Sequence, residues 1–308
     1  MNLNDKNLTK NEKRAQAREQ ARVAREASVK REKRKRFLIK GSVVLGVIAV
    51  LTTVALVVTF SLQPGAIAAP QNMATGGTIF TKDLKVKETG KLNEDGTFKA
   101  TEFDASKRPV SVRVFADFMC PVCGSFESTY GKMLEQYTGS GDIEMEFYVL
   151  NFLDSFSSGT KYSSRSANAF ACVVNEQPDK AYAYQKKLLE VQPKEGTAGL
   201  TDQQLLDYAI EIGTEKTPEL LDCINKRTFV NFIDKATKQV LQEGVLGLAE
   251  GEVLTVPRGE PRPADQPQRI SSTPTVIVNG KQWIQQRDGD LEQYLLKILQ
   301  KLDSSEQE

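Results

Sequence analysis

Residues 120–123 read Cys-Pro-Val-Cys. Two thiols at this spacing can close a small disulfide ring that opens readily by exchange. The pair follows an alternating apolar stretch and precedes a helix-forming one, so Cys120 is expected at a helix N-terminus. Free backbone N–H groups and the helix dipole favour a thiolate there. Pro121 suits the first helical turn, where no N–H is required of it. The chemistry expected of such a pair is thiol–disulfide exchange: Cys120 forms a mixed disulfide and Cys123 resolves it. The alternatives are a zinc half-site and a purely structural bond. Zinc needs further ligands, and the chain has no histidine. Its two remaining cysteines, Cys172 and Cys223, make no second short-spaced pair. Neither a metal nor a cofactor is expected.

The elements that must position this pair are legible on both sides of it. In residues 109–118, Val110, Val112, Val114 and Ala116 alternate with Ser111, Arg113, Phe115 and Asp117, which predicts a strand with one strongly apolar face. Residues 125–137 predict a helix. Residues 143–150 predict a second strand, with Ile143, Met145, Phe147 and Val149 on one face. Helices are expected over 163–175, 180–191, 201–212 and 231–242, with Thr201 and Gln204 as a capping box. A loop rich in Pro, Gly and charge covers 250–270, and its part from Val256 to Pro267 either shapes a substrate groove or is a plain solvent-exposed connection. Residues 275–278 predict a strand ending in the hairpin signal Asn279-Gly280, with a return strand at 282–285. A last amphipathic helix is expected over 288–302, apolar along Leu291, Tyr294, Leu295, Ile298 and Leu302. Cys172 and Cys223 both fall in the helical block. A structural disulfide between two helices is expected of them, the alternative being two separate buried thiols.

The chain has 308 residues and a net charge of +1, which conceals an asymmetry. Residues 1–40 hold 14 Lys/Arg against 5 Asp/Glu, a net of +9, and the remainder carries a net of −8. Residues 41–62 carry no charge and are long enough to cross a bilayer as a helix. By the positive-inside rule this places residues 1–40 in the cytoplasm and the remainder outside it, a single-pass signal anchor in the cell membrane. Cleavage after Ala68, in the small-x-small run from Ala66, is the rival arrangement, although the apolar stretch and basic head are both long for a signal peptide. The head carries no aromatic residue before Phe37, and no nucleic-acid partner is expected of it. Residues 63–107 read as a tether and weakly patterned lead-in, residues 108–302 as the folded domain with a helical insertion over about 156–250, and residues 303–308 as a tail.

The run from Phe115 to Cys123 (FADFMCPVC), together with that from Ser272 to Gly280 (STPTVIVNG), resembles the DsbA-like branch of the thioredoxin superfamily, in particular the membrane-anchored or secreted members of actinobacteria. The resemblance implies an α/β thioredoxin fold with a helical insertion, here preceded by one transmembrane helix. It implies that Cys120 is the exposed nucleophile, Cys123 its buried partner and Pro274 a cis-proline facing them. The backbone of Thr273 would pair with bound peptide, beside Pro121 and Val122 between the cysteines. The implied substrates are reduced or misoxidised secreted proteins, and the implied redox partner is a membrane protein of the DsbB or VKOR type. The chain departs from the pattern twice. Val122 stands where DsbA-type enzymes often carry a histidine, and a less oxidising couple is expected. Val114 stands where many thioredoxin-like proteins carry a buried acid. Asp117 is expected as a polar residue at the site rim, with proton transfer as its other possible role. Reductase, isomerase and non-catalytic binding roles remain open at this level.

Overall fold

The structure is a computed structural model that describes residues 67–305 except 94, 257 and 258, with eight residues of the basic head. The expected anchor at 41–62, most of the head and the start of the tether lie outside the described residues. Among the described residues no helix is long and apolar enough to cross a membrane.

Two parallel strands carry the fold. Strand β2 (Val110–Ala116) pairs with β3 (Ile143–Val149) in the register Val110↔Ile143 through Ala116↔Val149. Helix α1 (Pro121–Ser140) connects them. It ends at Gly141, whose φ of 85° is open to glycine and closes the last turn on Thr138 and Tyr137. Strand β4 (Thr275–Val278) lies antiparallel against the other side of β2, and β5 (Lys281–Trp283) follows it across Asn279-Gly280. Both turn residues have positive φ, as a two-residue hairpin of this hand requires. A short strand β1 (Thr78–Phe80) in the lead-in pairs antiparallel with β3, so the sheet order is β1-β3-β2-β4-β5.

The valines of β2 and the apolar face of β3 pack into the main core. The expected apolar face of β2 stands, and its other face is buried as well, since all seven residues are buried. The reason is its central place in the sheet: its second face carries Phe115 and Arg113 beneath residues 240–270. Arg113 donates to the carbonyls of Leu246 and Gly247 at 2.6 Å each, and its register neighbour Glu146 accepts from Thr75 and Thr101. Each buried charge thus has polar partners, and the same bonds fasten the lead-in and residue 247 to the sheet.

Between β3 and β4 lies the helical insertion: α2 (Tyr162–Glu176), α3 (Ala181–Glu190), α4 (Asp202–Glu211), α5 (Pro218–Lys226) and α6 (Val230–Lys238). The capping box of Thr201 and Gln204 opens α4. Helix α5 has no counterpart in the sequence reading. It is capped by Thr217 with Pro218 at its first position, a start signal that preceded too short an apolar pattern to stand out. It carries Cys223, which is bonded to Cys172 of α2 across 51 residues of chain.

The C-terminal reading is also adjusted. The return strand stops at Trp283, because the Ile284 N–H is taken by the Asp288 carboxylate and a short helix α7 (Gln285–Asp288) begins. Gly289 at φ 78° separates it from α8 (Leu291–Ser305), which buries Leu291, Leu295, Leu299 and Leu302 and extends past the expected tail boundary.

Both sheet edges are occupied. Lys87 N–H bonds to Ile79 O beyond β1, and Val86 bridges to Phe80. On β5 the outward backbone groups belong to Gln282: its N–H goes to the Glu252 carboxylate and its carbonyl accepts from Arg287. The Gln282 side chain in turn bonds the backbone N–H and carbonyl of Thr255.

Candidate active site

The chain leaves β2 at Ala116, turns through Asp117 to Met119, and enters α1 with Cys120 as its N-cap residue and Pro121 at its first position. The Cys120 carbonyl accepts from the N–H groups of Cys123 and Gly124 at 3.0 and 3.2 Å. Cys120 and Cys123 are both free thiols. The thiol of Cys123 donates to Cys120 and is the largest influence holding the Cys120 thiol down at about 6, against the opposing effect of burial. The Thr273 side chain and the N–H groups of Cys123 and Val122 add to it. Burial pushes the Cys123 thiol well up, and the neighbouring Cys120 adds to this. Of the two sulfurs, Cys120 is therefore the one that gives up its proton more readily.

Thr273-Pro274 closes the site from the β4 side. Its peptide bond is cis, and the Cys120 thiol donates to the Thr273 carbonyl at 3.4 Å. The two distant motifs thus meet at one sulfur. The expected exposure is corrected: Cys120 is only 5% exposed, against 1% for Cys123, because Thr273 and its own helix turn cover it. The exposed residue of the motif is Val122, at 60%.

Asp117 also departs from expectation. It is wholly buried rather than at the rim, since strand alternation ends at Ala116 and three donors draw its carboxylate inward. These are the N–H groups of Met119 and Leu153 and the hydroxyl of Ser163. Burial pushes its carboxyl up to about 7 despite them, with the nearby Cys120 thiolate adding to the rise. Asp117 ties the active turn to the loop after β3 and to α2.

Beside the cysteines runs a groove of about 880 Å³. It is lined by Val122 and Phe126 of α1, Thr273 and Pro274, Trp283 and Ile284, and Thr255, Val256 and Gly259. The Pro-rich loop after 250 therefore shapes the groove. Trp283 meets Tyr130 edge-on at 6.0 Å, which fixes the indole between β5 and α1.

Residues 105–247 match the family model described as thioredoxin. The reduced disulfide bond oxidoreductase DsbG of Mycobacterium tuberculosis superposes with a TM-score of 0.50 at 22% identity, covering 74% of this chain and 88% of that one. Residues 105–247 are thus similar to the thioredoxin family, and the fold is shared with the DsbG structure. Two curated relatives overlap the thioredoxin-like chain in sequence. Serine/threonine-protein kinase PknE of Mycobacterium tuberculosis (strain ATCC 25618 / H37Rv) is 31% identical over 134 residues, 42% of this chain and 23% of that protein. Disulfide bond formation protein D of Bacillus subtilis (strain 168) is 26% identical over 174 residues, 56% of this chain and 64% of that protein. The chain therefore spans about a quarter of the first and less than two thirds of the second.

The structure brings together Cys120, Cys123, Thr273 and Pro274, with Val122 lining the groove. Pro121 is exposed on the helix start, and Cys172 and Cys223 form a separate disulfide in the insertion. Sequence reasoning missed Phe126, Trp283 and Gln192. Trp283 is the one tryptophan of the chain and sat on the expected return strand, which was a usable signal. Gln192 approaches only through long-range packing and left none.

A pH profile checks the thiolate. Alkylation of Cys120 by iodoacetamide is expected to stay fast at neutral pH and to fall as pH drops through about 6. A rate that rises only above about pH 8, as for an ordinary thiol, would refute the assignment.

Proposed function

We propose that this protein is an extracytoplasmic thiol–disulfide oxidoreductase that forms disulfides in secreted proteins through Cys120 and Cys123. The observation that carries the proposal is the asymmetric pair: a thiolate-prone Cys120 facing Thr273-Pro274, with a protonated Cys123 behind it. In the oxidised enzyme, a substrate thiolate attacks the Cys120 sulfur and Cys123 leaves. A second substrate thiolate then attacks the mixed disulfide and Cys120 leaves as a thiolate, which its surroundings stabilise. The substrate emerges oxidised and the enzyme carries two thiols. Its return to the disulfide requires an electron acceptor, for which we propose a membrane partner of the DsbB or VKOR type. The uncharged stretch at 41–62 behind a basic head supports anchoring in the cell membrane with the catalytic domain outside. The names of the DsbG structure and the Bacillus relative agree with this chemistry.

Reductase or isomerase activity is the second reading, and Val122 favours it, because its side chain offers a thiolate neither a hydrogen bond nor a charge. Equilibration with glutathione buffers separates the two. A thiol held at about 6 is expected to give a potential between about −270 mV, as in thioredoxin, and about −120 mV, as in DsbA. A value at or below the thioredoxin limit would overturn the disulfide-forming role.

A further inference from the structure

A side chain of the helical insertion reaches the backbone of Cys120. Gln192, in the segment after α3, donates from Nε2 to the Cys120 carbonyl at 3.1 Å. That carbonyl already accepts the N–H groups of Cys123 and Gly124, so Gln192 supplies a third donor to the first turn of α1. The other end of the amide lies over Gly124. A Cβ at position 124 would stand 2.2 Å from Gln192 Oε1, so glycine is what lets the side chain reach in.

The segment that delivers Gln192 is held firmly. Arg165 of α2, 6% exposed, donates to the carbonyls of Thr160, Ala198 and Leu200 and pairs with Asp202 at 2.8 Å. Gly196 N–H bonds to the Phe156 carbonyl at 2.7 Å. At Gly199, with φ of +70°, a Cβ would fall 2.4 Å from the Tyr162 ring. The amide is therefore presented from a seated loop rather than from a free side chain.

We propose that Gln192 is a positioning residue for Cys120: its amide, wedged between the Cys120 carbonyl and Gly124, holds the first turn of α1 in the geometry that favours the thiolate. The positive end of the amide dipole faces the Cys120 carbonyl, and the bond fixes the turn whose Val122 and Cys123 N–H groups help hold the Cys120 thiol down. The inference rests on Cys120 being the nucleophile of the proposed exchange.

The test is the pH midpoint of Cys120 alkylation by iodoacetamide in the reduced full-length chain, read by mass on the Cys120 peptide. Gln192→Leu is expected to raise the midpoint by about half a pH unit, the scale of one neutral hydrogen bond. Gln192→Glu, of the same shape but with a charge beside the carbonyl, is expected to raise it by about one unit. Gly124→Ala is expected to shift it like Gln192→Leu, and to add nothing in a Gln192→Ala background, where there is no amide left to displace. Midpoints that overlay the wild type would overturn the inference. So would a lowered melting temperature with an unmoved midpoint, or a Gly124→Ala shift that persists in the Gln192→Ala background. A wild-type midpoint at the ordinary thiol value would instead remove the nucleophile reading itself.

Discussion

Cys123→Ala is expected to accumulate mixed disulfides between Cys120 and substrate proteins, while Cys120→Ser loses exchange by about three orders of magnitude or more. The asymmetry follows from the two sulfurs. Cys120 has its thiol held down at about 6 and faces Thr273, whereas Cys123 is buried behind it with its thiol pushed well up. Removing Cys123 leaves attack intact and deletes the intramolecular resolution of the mixed disulfide. Removing Cys120 leaves a serine hydroxyl that stays protonated at neutral pH and does not attack disulfides. The measurement is non-reducing electrophoresis with mass spectrometry for the first variant and exchange kinetics with a dithiol peptide for the second. A Cys120→Ala protein that still performed its cellular role would turn the molecule into a binding module. Absence of mixed disulfides in Cys123→Ala, with wild-type exchange retained, would reject the assignment of roles.

Replacing both Cys172 and Cys223 by alanine is expected to destabilise the folded domain by about 4 kcal/mol, from the closure entropy of a 51-residue loop. At about 2–4 °C per kcal/mol for a domain of this size, the melting temperature should fall by roughly 8–16 °C. The bond ties α2 to α5, and both residues lie in the main core, Cys172 wholly buried and Cys223 6% exposed. The active pair lies elsewhere, so the loss should appear in thermal unfolding before it appears in exchange rates at 25 °C. An unchanged melting temperature would show that the helices hold together without it.

The parts of this fold legible in sequence are those with a local cause. The alternation in β2 and β3, the Cys-Pro-Val-Cys turn, the Thr201 capping box and the Asn279-Gly280 hairpin each rest on neighbouring residues, and each stands in the structure. The meeting of Thr273-Pro274 with Cys120 was reached through family resemblance, since no local pattern relates residues so far apart. What escaped was set by packing. Asp117 is drawn inward by donors from the loop after β3 and from α2, which alternation along β2 does not foresee. Both faces of β2 are buried because the segment after α6 folds back over the sheet. Gln192 reaches Cys120 only because the insertion seats its loop there. Site residues fixed by spacing were readable, and those fixed by tertiary approach were not.

The sealed edges of the sheet acquire a meaning once the proposed work is considered. A protein that engages incompletely folded chains meets long stretches of unpaired backbone, and an open strand edge would recruit them into a growing ladder. Here residues 86 and 87 shield β1, and Glu252 and Arg287 occupy the outward groups of Gln282 on β5. If the protein acts on such chains as proposed, these contacts leave fewer open backbone groups at the edges for a client strand to pair with. Under the proposed function, this rim would resist co-aggregation with clients. Glu252→Ala with Arg287→Ala would weaken it without touching the cysteines.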